Sequence, residues 1–291
     1  MSKSTFDDKV NSSINLIRPA EQRVARFFME NREETLIGSA SSLARKVGTS
    51  DATVIRTVKA LGFSGMEEMR RSLADDLRGN QSPSNRLART LSDVGDDLIS
   101  ALDLTLDIHQ NALERLRRDL TAEEFKSAVH YIVASKRTYI FGIGPSSAMA
   151  NYFSIQLERF GIKANSLTQT GLLLADQLLH LEQGDLMMIF AYGRIYPELA
   201  TILDQANRRG VSTVLFSDTL GAKLRDRVDL VLSVQRGRTD MLSMHTTTLA
   251  LIEALLVGVA KTQPEKTMAS LQTLNELRAN VVGRRMDLPA A

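Results

Sequence analysis

Five short apolar runs between residues 138 and 234 constrain the fold more than any other feature of this chain. They are "TYIFGI" (Thr138 to Ile143), "KANSL" (Lys163 to Leu167), "LMMIFA" (Leu186 to Ala191), "STVLFS" (Ser212 to Ser217) and "DLVLSV" (Asp229 to Val234). Each is apolar on both faces or nearly so, and helical segments stand between them. Such strands need cover on both sides, and strands alternating with helices build a parallel sheet. The expectation is a five-stranded, parallel, doubly wound α/β domain over residues 120–291. It opens with "TAEEFKSAVHYIVAS", where Thr121 and Glu124 form a capping box. It closes with two helices, the second starting at Pro264.

The residues before it read differently. Residues 1–78 show only helical patterns, including "PAEQRVARFFMENREETL" with Pro19 near its start and Val24, Phe27 and Phe28 at helical spacing. Residues 79–119 hold the Ser-, Asn- and Gly-rich "RGNQSPSNRLARTLSDVGDD", read as a linker within which "NRLARTL" can form a helix, and then a long connecting helix. A chain of 291 residues is long enough for two domains.

Composition narrows the function. A net charge of +2 argues for no general affinity for polyanions, so any nucleic-acid surface must be local. The absence of cysteine excludes disulfides and thiolate metal sites. His109, His130, His180 and His245 are scattered without ligand spacing, so no metal is expected. No signal peptide and no apolar run of ~20 residues is present, which predicts a cytoplasmic protein without membrane contact.

Ser41 to Leu61 has the spacing of a helix-turn-helix. Ala44 is small enough for a helix crossing, Gly48 tolerates positive φ in the turn, and Ser50 can cap the second helix. On a wheel at ~100° per residue, Val54, Ile55, Val58 and Leu61 fall on one side and Thr53, Arg56, Thr57 and Ala60 on the other. The second side fits a major groove, with Arg56 donating to guanine and the threonines touching phosphate or a thymine methyl. Lys46 and Lys59 flank it, placed for phosphates.

The stretch "RPAEQRVARFFMENREETLIGSASSLARKVGTSDATVIRTVKALGFSGMEEMRRSLADDL" resembles the N-terminal domain of the RpiR family of bacterial transcriptional regulators. Pro19, Glu21, Leu43, Ala44, Gly48, Ser50, Ala52, Thr53, Val54, Arg56, Lys59, Leu61, Gly62, Phe63 and Gly65 carry the likeness; Thr49 replaces a valine of the pattern and Thr57 a phenylalanine. The resemblance implies a homodimer or tetramer on a palindromic double-stranded operator. The DNA-contacting set is read as Lys46, Thr49, Ser50, Thr53, Arg56, Thr57 and Lys59.

Open parallel sheets bind ligands beyond the C-terminal ends of their strands. In "FGIGPSSAMANYF", Gly142 and Gly144 follow a strand and Ser146 and Ser147 open a helix whose free N–H groups suit an anion. Ser147 stands where a dinucleotide fingerprint wants its third glycine, so no nucleotide cofactor is expected. Thr168 and Thr170 follow the second strand and offer further hydroxyls, or a helix cap. Residues 121–261 resemble an SIS (sugar isomerase) domain, which implies a sugar phosphate held by a serine-rich loop after the third strand. This chain departs there. In "LMMIFAYGRIYPELA", Ala191 and Gly193 stand at the two serines, Arg194 at the glycine and Tyr196 at the threonine.

Either Arg194 binds an anion in place of the lost hydroxyls, with Tyr192 and Tyr196 lining the site, or it is a structural ion-pair partner. The ligand set is read as Gly144, Ser146, Ser147, Thr168, Thr170, Tyr192, Gly193, Arg194 and Tyr196. The charged loop "QRGRTDMLSMHTTT" adds Arg236, Arg238 and His245, or is simply solvated. The expected function is a transcriptional regulator answering to a small anionic, sugar-phosphate-like metabolite. The alternatives are a phosphosugar isomerase, for which Glu158, Glu182, Glu198, Glu253 and His245 are bases by residue type, and a ligand-independent dimeric repressor. No motif marks a catalytic residue.

Overall fold

The structure, a computed structural model, describes residues 6–14, 16–79, 83–95, 97–238 and 241–282. Residues 80–82 and 96 of the linker stretch and 239–240 of the charged loop lie outside the described residues. The chain divides into two compact units, Met1–Arg89 and Thr90–Ala291.

The first unit is helical, as its sequence periodicity predicts. It runs α1 (Phe6–Ser13), α2 (Pro19–Glu30), α3 (Arg32–Ile37), α4 (Ala40–Val47), α5 (Asp51–Ala60) and α6 (Met66–Gly79). Pro19 opens α2, and the Glu21 carboxylate accepts the Arg18 N–H at 3.0 Å, satisfying a donor that a helix start leaves unpaired. One core unites these helices, built on Phe6, Phe28, Leu43, Val54, Val58, Leu61, Met69 and Leu73. Each such side chain contributes roughly 1.5–3 kcal/mol by leaving water.

The boundary between the units falls within α7 (Pro83–Val94). The stretch read as a linker therefore holds a helix, opened by Pro83. The second unit continues with α8 (Leu98–Asp119), α9 (Ala122–Ala134), β1 (Thr138–Phe141), α10 (Ser146–Arg159), β2 (Ala164–Leu167), α11 (Leu172–Leu178) and β3 (Leu186–Phe190). It ends with α12 (Pro197–Arg209), β4 (Ser212–Ser217), α13 (Gly221–Leu224), β5 (Leu230–Ser233), α14 (Thr246–Thr262) and α15 (Pro264–Val282). The Thr121–Glu124 capping box forms at the start of α9, with the Glu124 N–H on Thr121 Oγ1 at 3.1 Å and the Thr121 N–H on Glu124 Oε2 at 2.9 Å.

All strands are parallel, in the order β2-β1-β3-β4-β5. Successive strand residues point to opposite faces. Leu186, Met188 and Phe190 join one apolar cluster with α9, α10 and α14, while Met187, Ile189 and Ala191 join the other with α11 and α12. Every residue of β1 and β3 is buried, which is why their sequences read as unbroken apolar runs. The edge strand β2 exposes Asn165 and is the least apolar of the five. From β1 the chain passes to β2 on one side and then to β3 on the other. The ends of β1 and β3 thus form a switch point, where open parallel sheets leave a crevice.

Candidate functional site

Two places carry the residues singled out by sequence. In the first unit, α4 and α5 are joined across Gly48, which adopts φ 69° and ψ 47° as a left-handed C-cap. Ser50 caps α5, its Oγ accepting the Thr53 N–H at 3.3 Å. α5 packs against α2, α4 and α6. That makes its buried arc wider than the wheel predicts. Thr53 is 7% exposed and Thr57 is fully buried, with its hydroxyl on the Thr53 carbonyl at 2.8 Å.

Thr53 and Thr57 are therefore buried in this structure, a correction to the reading that set them on the outer face. Ala52, Arg56, Lys59 and Ala60 form the exposed face. Arg56 Nη2 donates to Thr53 Oγ1 at 3.3 Å, and that oxygen also lies 3.0 Å from Ser50 Oγ. Thr49 is half-buried beside the turn. Lys46 pairs with Glu34 at 2.6 Å. Both are well exposed, and such pairs are worth only about 0–1 kcal/mol, so a phosphate can compete for the ammonium.

The second place lies at the switch point. Gly142 leaves β1 where a Cβ would stand 2.5 Å from the Ser146 carbonyl oxygen, so only glycine lets α10 start this close to the strand end. Gly144 follows at φ +57°. Ser147 spends its hydroxyl on the Gly144 carbonyl at 2.7 Å, which makes it part of the turn rather than a ready anion donor. Past β3, Tyr192 is 6% exposed and its hydroxyl lies 3.0 Å from Thr248 Oγ1 on α14. Gly193 turns the chain at φ +76°.

Arg194 then points outward. It is exposed, with its guanidinium carbon 4.7 Å from the Tyr196 ring centroid. A second arginine is half-buried. Arg236, just past β5, lies 4.0 Å above the Tyr192 ring, and its Nε stands 3.6 Å from Asp218 Oδ2. Its side chain is 15% exposed.

A cavity of about 220 Å³ opens here, lined by Phe141, Ile143, Gly144, Pro145, Ser146, Phe190, Ala191, Tyr192, Tyr196 and Arg236. Of the predicted ligand residues the cavity gathers Gly144, Ser146, Tyr192 and Tyr196. Ser147, Thr168, Thr170, Gly193 and Arg194 are not among its lining residues. Thr168 is half-buried and Thr170 exposed, and neither caps α11, whose N-cap is Gly171 without a side-chain bond. Sequence reasoning missed the apolar walls, Thr248 and Asp218. A wider cleft of about 510 Å³ lies at the opposite, N-terminal ends of β4 and β5, away from the switch point.

Two groups near the cavity have displaced protonation equilibria. Burial holds the Tyr192 phenol above its ordinary pKa, so it stays neutral. Burial, and then the positive charge of Arg236, pushes His245 down to about 4. Its ring meets Tyr192 edge-on at 5.8 Å, and Nδ1 lies 3.4 Å from Thr248 Oγ1. Among the described residues no group of acidic, His or Cys side chains is arranged to hold a metal, and no helix is long and apolar enough to cross a membrane.

Comparison with known proteins matches both units. A model of the helix-turn-helix domain of the rpiR family covers residues 5–80, and an SIS domain model covers 131–258. The bifunctional protein glk of Paraburkholderia xenovorans is 27% identical over 269 residues, 89% of this chain and 40% of that protein. The chain thus spans about 40% of the length of such relatives. An HTH-type transcriptional regulator of Providencia stuartii is 24% identical over 228 residues, 75% of this chain and 76% of that protein. Among solved structures, the Vibrio vulnificus NanR protein complexed with ManNAc-6P shares the fold at a TM-score of 0.59 and 20% identity, covering 95% of this chain and 99% of that one. The sugar isomerase domain of an RpiR transcription factor from Sphaerobacter thermophilus does so at 0.55 and 24% identity, covering 60% of this chain and 97% of that one. The chain therefore carries a helix-turn-helix domain of the rpiR family followed by an SIS domain.

Proposed function

We propose that the chain binds a double-stranded operator through α5, as a homodimer or tetramer, and adjusts that binding to a small anionic metabolite held in the strand-end cavity. The observation that carries the DNA reading is the exposed face of α5. It is small at Ala52 and Ala60, carries Arg56 and Lys59, and starts at a serine-capped turn. A slim cationic helix face of this kind fits a major groove. Thr53 serves there by orienting Arg56, and Thr49, Ser50 and Lys46 border the same face.

Arg56→Ala should weaken specific operator binding by about 1–3 kcal/mol and relax one base position. Selection from randomised duplexes followed by footprinting reads both. An unchanged preferred sequence and affinity would remove α5 from the groove.

The metabolite reading rests on the cavity's place at the switch point and on Arg236 at its wall. The NanR neighbour, solved with ManNAc-6P, supports a sensing role for such a domain. Catalysis is the weaker reading. Aldose–ketose isomerisation needs a base within about 2.6–3.2 Å of the proton it moves. The residues lining the cavity include no carboxylate and no histidine. Incubation with fructose 6-phosphate should give no glucose 6-phosphate; measurable turnover would make the chain an isomerase.

A further inference from the structure

We propose that Arg236 is the anion receptor of the strand-end cavity, and that its ligand is a small oxyanion, carboxylate or phosphate ester, on a largely apolar body rather than a polyhydroxylated sugar. The inference rests on reading this cavity as the effector site.

Its first support is the supply of polar groups. A bound sugar phosphate brings several hydroxyls, and each buried polar group left unpaired costs about 1–3 kcal/mol. The residues lining the cavity are mostly aromatic or aliphatic, among them Phe141, Ile143, Phe190, Tyr192 and Tyr196. The hydroxyl of Ser147 is committed to the Gly144 carbonyl, and that of Tyr192 is paired with Thr248. Besides the tyrosines, the side chains with polar groups in the lining are Ser146, which begins α10, and Arg236, the one cation among the described lining residues, which crosses Tyr192 with Asp218 3.6 Å from its Nε. Such a wall satisfies one charged group and repels a ring of hydroxyls.

The second support is how firmly Arg236 is placed. Its guanidinium lies flat enough on Tyr192 for the carbon to stand 4.0 Å from the ring centroid, and Asp218 approaches from the Nε side at 3.6 Å. Tyr192 is itself anchored on Thr248 at 3.0 Å. The loop around Arg236 is pinned as well. Arg115 donates to Gln235 at 3.1 Å, Arg238 pairs with Asp93 at 3.2 Å, and the Leu242 N–H donates to Thr90 Oγ1 at 2.9 Å. A guanidinium held in advance loses less freedom on pairing with an oxyanion, and its planar fork matches carboxylate and phosphate oxygens two at a time. At about 220 Å³ the cavity is below the ~300–1,000 Å³ range of drug-sized sites, which sets the ligand as a small metabolite.

The test is calorimetric titration of the full chain with benzoate, phenyl phosphate, fructose 6-phosphate and inorganic phosphate. Benzoate or phenyl phosphate should bind at least tenfold more tightly than fructose 6-phosphate, and the better of the two separates a carboxylate from a phosphate ligand. Arg236→Gln should weaken that binding tenfold or more, and Arg236→Lys should restore it only in part. The rank order on the unaltered chain stands even where a variant fails to fold. Preference for fructose 6-phosphate, retained in Arg236→Gln, would overturn the proposal and leave the effector-site reading intact. Failure of all four probes to bind the unaltered chain would count against both.

Discussion

Arg194 and Arg236, both in the sheet unit, each lie over a tyrosine in different surroundings. Arg194 covers Tyr196 at 4.7 Å on an exposed turn after β3; Arg236 covers Tyr192 at 4.0 Å in a half-buried loop after β5. The chemistry is the same. The surroundings are not. A cation over a ring is worth about 0.5–1 kcal/mol in water and about 2 or more when desolvated. Tyr192 also sits in the core cluster and is hydrogen-bonded to α14, so it gives Arg236 a fixed platform. Tyr196 is only partly buried and gives Arg194 a more exposed one. Burial, rather than residue type, sets the two arginines apart.

The sharpest way to break this contrast is to remove the platforms. Tyr192→Ala empties a buried, packed position and should cost about 3–5 kcal/mol, the range of large aromatic truncations. Tyr196→Ala should cost about 1 kcal/mol or less. Urea denaturation of each variant measures both. Similar losses for the two would mean that the platforms are equivalent and that Arg236 owes nothing special to its ring.

The charge of Arg236 can be felt through His245. Its folded pKa of about 4 lies below its ordinary 6.5, through burial first and Arg236 second. Between these values the unfolded chain takes up a proton that the folded chain refuses. Stability contributed at neutral pH is therefore lost as pH falls from about 6.5 to about 4, and no further below that. Allowing for the partial exposure of the ring, the loss is about 1–2 kcal/mol. Melting temperature against pH should flatten in this window in His245→Gln relative to the unaltered chain. Parallel curves would show that the imidazole titrates as it does in water and that Arg236 does not act on it.

What the sequence made legible follows from range. Gly48, Ser50, the Thr121–Glu124 box and Pro264 act within a few residues, and each appears where its local chemistry placed it. The strand runs were legible because burial on both faces leaves a continuous apolar signature. Thr57 was misread because a wheel shows direction and not how many helices press on it; three helices pack on α5, and its buried arc widens accordingly. The lining of the strand-end cavity is less legible for a related reason. Alignment along the chain drew attention to Arg194, which replaces a residue in the serine-rich loop. The residue that reaches the cavity, Arg236, lies some forty positions later and arrives there only because β5 joins the same sheet. It stood among the secondary candidates because nothing local distinguished it from a solvated loop.

The smallest expected effect is the most discriminating. Arg194→Ala removes an exposed side chain from an exposed ring, so stability should change by about 0.5 kcal/mol or less. Its effect on binding of the preferred oxyanion should stay within about twofold, since its charge acts through solvent and is screened by salt. Titration at low and at physiological salt separates two roles. A weak salt-dependent loss marks Arg194 as a distant attractor at the rim. A tenfold, salt-insensitive loss would instead place its guanidinium on the ligand, with Tyr196 folding inward to carry it, and the two arginines would then share the role proposed for Arg236.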